Sequence, residues 1–338
     1  MIYATQWPYA YGGPSVKAVF KENAEDFVVV EQLGFEPEGQ GEHVFLWIEK
    51  RNSNTTWVAE QLARFASVPS VAVGYSGLKD RQAVTQQWFS VSIHPDAEPD
   101  WRQLESDELR VLKVERHLRK LKRGVHKSNH FTIRMRHIEG DRDKLHSQLK
   151  KIKIEGFPNL FGEQRFGRMG NNLRGAERMF AGQKVKRQQR QFYLSAGRSW
   201  LFNTLLAERL ASNDWLVASP QGHYFLSGSG SHFHAAGEAD LVDRVASGDI
   251  HPAAPLWGRT KGQLDADQSS LSERYPVFCQ GLEAAGMNME FRAVREIPND
   301  FEWRDEGDTM LLSFSLGRGS FATALLRECF DWSEAGAE

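Results

Sequence analysis

The chain has 338 residues, 41% of them hydrophobic and 25% charged, with a formal net charge of −2 at pH 7. That length holds one large domain or two ordinary ones around a substantial core, and the composition excludes a chain too polar to fold. No stretch approaches the roughly 20 apolar residues of a membrane helix, and residues 1–11 lack the basic and apolar regions of a secretion signal, so a cytoplasmic protein is expected.

Short apolar runs at 27–31, 44–49 and 71–75, bounded by Gly, Pro, Asn or charged residues, predict strands. Between the last two, Val58, Leu62 and Phe65 recur at helical spacing across 55–66. The third run leads straight into Tyr75-Ser76-Gly77-Leu78-Lys79-Asp80-Arg81, a glycine turn with three consecutive charges. Loops at strand ends often hold catalytic groups. Lys79 and Arg81 favour the charged form of Asp80, which can then act as a base or nucleophile, with Arg81 placed to grip it bidentately. Read as structure alone, the same tripeptide is a turn in which Asp80 bonds its own backbone.

Clean alternation at 89–93 and 131–136 predicts half-buried strands, the second with Phe131 and Met135 on one face and Arg134 and Arg136 on the other. Charge is segregated: residues 111–200 carry 23 Lys and Arg against 7 Asp and Glu, leaving 19 against 37 elsewhere. A basic block on an acidic body is the footprint of a polyanion site, although a plain solvated face has the same composition. Lys120, Lys122, Arg123, Lys127, Arg165 and Arg168 are the candidates for gripping an RNA backbone. The interleaved Phe131, Phe161, Phe166, Phe180, Phe192 and Tyr193 are candidates for stacking on bases. Within 120–136, Asn129 can bond a base edge beside Phe131, where the bland reading is a capped strand with a core Phe. His126 and His130 are secondary acid–base candidates.

The Gly-rich aromatic stretch at 158–168 marks a domain junction. Helices are expected at 198–213 and 268–286, separated by a long loop or hairpin at 221–238. The run Gly228-Ser229-Gly230-Ser231-His232-Phe233-His234 lacks the Lys of a phosphate loop and assigned partners for a metal, so neither chemistry is strongly signalled. Cys279 and Cys329 have no CxxC spacing and read as buried small hydrophobes. A strand at 310–316 and a helix at 321–330 close the chain. The simplest organisation is a discontinuous catalytic domain, 1–154 with 304–338, interrupted by an inserted domain at 155–303.

Gly77-Leu78-Lys79-Asp80, His126-x-x-Asn129-x-Phe131, the 159–167 block, Asp26–Glu31 and Gly319-Ser320-Phe321-Ala322-Thr323 together resemble the TruD family of transfer-RNA pseudouridine synthases. The resemblance implies an α/β (α+β) fold whose catalytic domain has a central mixed, mainly antiparallel sheet flanked by helices, plus an inserted α/β domain. It implies isomerisation of uridine to pseudouridine, typically at position 13 of a tRNA, with no cofactor and no metal. It places the catalytic carboxylate at Asp80 and the substrate against Phe27, Asn129, Phe131, Phe321, Lys79 and Arg81, Phe131 standing where other pseudouridine synthases carry a tyrosine. The partner is then tRNA, and a monomer is the default. From the residues alone, the rival reading is a non-catalytic protein that binds structured RNA.

Overall fold

The computed structural model describes residues 3–335. The chain divides into two compact units. One comprises Ser15–Arg142, Pro298–Gly319 and residues 330–335; the other comprises residues 3–14, Asp143–Ile297 and Ser320–Cys329.

The first unit is built on a ten-stranded sheet. Its strands are β1 (Val16–Phe20), β2 (Phe27–Gln32), β3 (His43–Arg51), β4 (Val73–Tyr75), β5 (Val84–Ser92), β6 (Leu109–His117) and β7 (Ser128–Gly140), with Asn299–Glu306, Thr309–Gly317 and Phe330–Glu334 from the end of the chain. The main path runs Asn299–Glu306, Thr309–Gly317, β7, β2, β5, β3, β6, while β4 pairs with β5 and β1 joins β7 to Phe330–Glu334. The β2–β5 pair and the pair of β1 with Phe330–Glu334 run parallel, and the other described pairs antiparallel. The expected mixed, mainly antiparallel sheet is therefore present.

The period-2 pattern of β3 explains the layer against it. Val44, Leu46 and Ile48 are buried with Phe89 and Val91 of β5, and α1 (Thr55–Phe65) lays Val58 and Leu62 on them. Each such side chain contributes about 1.5–3 kcal/mol on full burial. The strand foreseen at 71–75 begins at Val73, because Pro69 starts a short 3-10 turn over Ser70–Ala72. At Gly74 a Cβ would stand 2.3 Å from the Leu121 carbonyl oxygen, so only glycine lets the 118–125 loop lie against β4.

The second unit contains α2 (Arg142–Glu155), α3 (Asn171–Phe180) and α4 (Arg187–Ala211). It also has a four-stranded sheet in the order His232–His234, His223–Leu226, Ile250–Leu256, Glu290–Ala293. Its core gathers Phe166, Trp200, Leu201, Phe202, Trp257 and Phe278. Helix α4 starts eleven residues before the expected 198, since Arg187–Gln191 is wholly polar and carries no apolar repeat to announce it. The expected 268–286 helix is two, Ala266–Arg274 and Pro276–Ala284, because Pro276 cannot continue the first but suits the first turn of the second. The 221–238 stretch forms a hairpin, His223–Leu226 with His232–His234.

Candidate active site

The 76–81 turn is held from below by side chains of one face of the first unit's sheet and by Thr55 of α1. Gln87 donates to the Gly77 carbonyl at 3.1 Å, and Thr55, opening α1, donates to Gln87 at 3.0 Å while accepting the Lys79 amide at 3.0 Å. The buried Lys50 ammonium donates to the Asp80 carbonyl at 2.6 Å. Burial lowers the Lys50 pKa to about 8, opposed by the charge of Asp80. Period-2 register explains why these groups converge: Lys50 pairs with Thr85 across β3–β5, and Val29 with Thr85 across β2–β5, so all face the same way.

Asp80 itself is 56% exposed, and its Oδ1 lies 3.5 Å from Lys21 Nζ, which reaches Glu334 at 3.6 Å on its other side. Lys21 sits just beyond β1 at φ +57°, and its ammonium lies 4.6 Å from the centre of the Phe27 ring. Phe27 stacks on Phe131 at 6.1 Å and 21°, and Phe131 on Phe314 at 5.5 Å and 27°. Asn129, two residues before Phe131 on the same face of β7, pairs with Glu31 and with Leu316. Its Oδ1 is buried without a hydrogen-bond partner. An unpaired buried acceptor is costly, and a ligand donor relieves it.

The expected residues separate as follows. Asp80, Phe27, Phe131 and Asn129 all lie in the first unit, with Asp80 joined to the Phe27–Phe131 stack through Lys21 and Asn129 paired with Glu31. Lys79 is drawn under the turn into a buried ion pair with Glu31 at 2.7 Å, whose other oxygen accepts the Trp88 amide at 3.2 Å. Arg81 does not grip Asp80: its Nε donates to the Asn52 carbonyl at 3.3 Å. Lys122, Arg123 and Lys127 are exposed, Arg123 lying 3.6 Å over the Tyr75 ring, and Lys120 bonds the Val71 carbonyl. Phe321, Arg165 and Arg168 belong to the second unit.

There, Phe321 packs against Phe161 at 6.0 Å, and Arg292 lies over Phe161 at 4.3 Å while its Nε donates to the Asn159 carbonyl at 3.1 Å. Burial lowers the Arg292 pKa to about 10. Arg168 is exposed, whereas Arg165 donates to Ser195 at 2.9 Å and is half-buried against Phe161. The stacking role expected of the interleaved aromatics is corrected for Phe161 and Phe166, which are buried core rings, while Phe131 lies in the stack with Phe27 and Phe314 and Phe192 is exposed. Proximity in sequence to basic residues says nothing about which way a ring points.

The two histidine candidates have other work. His130 lies on the opposite face of β7 from Asn129 and Phe131, between Ser315 at 3.0 Å and Ser313 at 3.2 Å. His126 Nδ1 pairs with Ser76 Oγ at 2.7 Å, its amide donates to the same oxygen at 2.8 Å, and the Gly124 amide donates to the Ser76 carbonyl at 2.7 Å. Burial, then the charges of Lys79 and Arg318, lower the His126 pKa to about 4. It is a neutral strap on the turn. Its stabilising contribution is complete above the unfolded pKa near 6.5 and is lost as pH falls towards 4, since the unfolded chain takes the proton first. Urea unfolding from pH 7.5 to 4.5 is expected to show His126→Asn less stable than the wild type at neutral pH but with a shallower acid decline. An equal decline would remove His126 from that role.

The sequence signals for Lys21, Lys50, Glu31 and Gln87 went unread, although Glu31 and Lys50 occupy inward parity in β2 and β3. Among the described residues no helix is long and apolar enough to cross a membrane, and no group of three or more His, Cys, Asp or Glu is placed to hold a metal.

Comparison with known proteins gives one consistent result. The family model for tRNA pseudouridine synthase D (TruD) matches residues 6–178 and 171–329. The tRNA pseudouridine synthase D of Aeromonas hydrophila subsp. hydrophila is 43% identical over 336 residues, covering 98% of this chain and 95% of that protein. Those of Nitrosococcus oceani and Pseudomonas putida strain GB-1 are each 44% identical, covering 98% and 97% of this chain and 96% of each relative. A crystal structure described as tRNA pseudouridine synthase D from Methanosarcina mazei superposes with a TM-score of 0.71 over 95% of each chain, at 19% identity. That last likeness is one of fold.

Proposed function

The chain belongs to the TruD family of tRNA pseudouridine synthases, and from that premise we propose that Asp80 is the carboxylate with which it converts uridine, at position 13, to pseudouridine. The chain is a tRNA-uridine isomerase. The observation that carries the residue assignment is the placement of Asp80: solvent-accessible, beside Lys21, next to the Phe27–Phe131 stack, on a turn fixed by Gln87, Thr55 and Lys50.

The reaction breaks the bond from ribose C1′ to uracil N1, turns the base, and joins C1′ to C5; the C5 proton leaves and N1 gains one. An aspartate so placed serves three routes: attack on C1′, addition to C6, or abstraction of the C2′ proton. Lys21 holds the charge of that carboxylate in place. A target base must leave its stack to reach it, at a cost of roughly a few kcal/mol, and the exposed Lys122, Arg123 and Lys127 are assigned to the RNA backbone that offsets this. Asn129 Oδ1, unpartnered in the free protein, suits the N3–H of a flipped uracil. Phe27 supports the base, and Phe131, a phenylalanine, carries no proton. Phe321 is assigned to substrate binding by family likeness. Lys79 and Arg81 serve by holding the turn. The enzyme acts in the cytoplasm as a monomer on tRNA, without cofactor.

The test is to incubate the protein and Asp80→Asn with unmodified tRNA transcripts, with no added metal or cofactor, and map pseudouridine by position. Product at uridine 13 that depends on Asp80 supports the assignment; tight binding with uridine intact in both moves it to an RNA-binding protein. Affinity is also expected to fall at least about tenfold between 50 and 200 mM salt, because each phosphate contact releases counterions. Titration of a labelled transcript at both salts checks this, and a flat response would contradict backbone grip by the basic loop.

A further inference from the structure

We propose that a second pocket in the first unit, where Phe35 meets the 118–125 loop, takes an unstacked nucleobase of the RNA other than the uridine at Asp80. This rests on the RNA-modifying reading above and names how much of the RNA that reading requires to be unpaired.

The cavity is about 230 Å³ and has aromatic and aliphatic walls, Phe35, Phe45, His117 and Leu121 among them. Phe35 is 37% exposed, and its ring lies 5.3 Å from His117 at an interplanar angle of 33°. Phe45 meets the same imidazole edge-on at 4.8 Å. His117 Nδ1 is buried without a hydrogen-bond partner, the Glu38 carboxylate standing 4.0 Å away, beyond bonding distance. The pocket thus presents a flat, partly exposed ring beside a histidine whose Nδ1 is unsatisfied.

The rim decides the occupant. Arg119, Lys120 and Lys122 also line the cavity. Arg119 and Lys122 are exposed, while Lys120 bonds the Val71 carbonyl and so ties the loop to the residues before β4. A ring open to a planar ligand inside a cationic rim fits a base whose phosphates lie outside, since every base has a face to stack and every nucleotide a charge to pair. An apolar peptide side chain would fill the walls but leave the cations unanswered.

Position adds a consequence. The loop that forms this pocket with Leu121 and Lys122 bonds the Asp80 turn through Gly124 and His126, both to Ser76. One short loop therefore touches both nucleotide sites, and the favoured substrate displays two unstacked nucleotides at once, which a continuous duplex does not.

The experiment measures binding of the full chain to an unmodified tRNA transcript, and to transcripts each carrying one abasic nucleotide. Phe35→Leu, which keeps an apolar residue but removes the ring, is expected to weaken binding about tenfold, and Phe35→Trp to restore it. One abasic position other than the isomerised uridine should cost the wild type the same factor and cost Phe35→Leu nothing more. Unchanged affinity in Phe35→Leu, or losses that multiply at every abasic position, would overturn the proposal. Should Phe35→Leu melt at a lower temperature, the abasic scan on the wild type and on Phe35→Trp still decides: no sensitive position outside the isomerised uridine refutes the pocket. The readout is binding, so a protein that binds this way yet leaves uridine intact would sink the isomerase assignment and not the pocket.

Discussion

Asp80→Asn is expected to lower turnover on a tRNA transcript by at least about a thousandfold, while affinity for the same transcript stays within about twofold. The asymmetry follows from geometry. The asparagine is isosteric, so the carbonyl that accepts from Lys50 and the turn held by Gln87 and Thr55 remain as they are. What disappears is the negative charge 3.5 Å from Lys21, and with it the nucleophile or base on every one of the three routes. RNA affinity comes mainly from phosphate contacts, which Asp80 does not make. Single-turnover rates and equilibrium binding on one preparation separate the two quantities. Retained turnover would remove Asp80 from the chemistry, and equal losses in both would mark it as a binding residue.

How much of this was legible in the sequence depended on whether the determining contacts were local. The strand-to-turn passage from Val73 to Arg81 is written in neighbouring residues, and so was the alternation that sets Asn129 and Phe131 on one face of β7. The partners of Asp80 are not local. Lys21, itself paired with Glu334 of the last strand, arrives from the turn after β1 and Lys50 from the end of β3, so flanking residues suggested Arg81 as the partner when it bonds Asn52 instead. A usable signal existed in parity. In β2, Phe27, Val29 and Glu31 alternate inward, and in β3, Val44, Leu46, Ile48 and Lys50 do the same, and in each case the series ends on a charge. A charge at an inward position is buried at a cost unless it is paired, so it either answers another charge or serves a site.

Burial corrects the reading of the basic block. Phe161 and Phe166 stand among arginines in sequence but turn into the core of the second unit, where Arg292 lies over Phe161 from 131 residues further along. Phe35, by contrast, lies outside the basic block and carries an exposed ring next to a cationic loop contributed from elsewhere. Interleaving along a chain identifies charge; only folding identifies which rings remain free to stack.

The largest stability effect is expected at the Glu31–Lys79 pair, where Glu31→Ala should destabilise the protein by about 3–5 kcal/mol. Both side chains are buried, so removing the carboxylate leaves an ammonium out of water with no counter-charge, and also strips the Trp88 amide of its acceptor. The wild-type pair is not itself a large net gain, since desolvating both ions offsets most of their attraction; the cost lies in breaking it one-sidedly. Replacing both partners, Glu31→Met with Lys79→Met, should therefore recover much of the loss and give a coupling clearly different from zero in a double-mutant cycle. Turnover should not recover with it. Lys79 precedes Asp80, and its buried anchor fixes where the turn leaves the sheet; two methionines restore the packing without the directional bond at 2.7 Å. Urea unfolding and turnover on the three variants check this together. If the double variant regained both stability and rate, the ion pair would be a matter of folding alone, and the Asp80 turn would be set by Gln87, Thr55 and Lys50 without it.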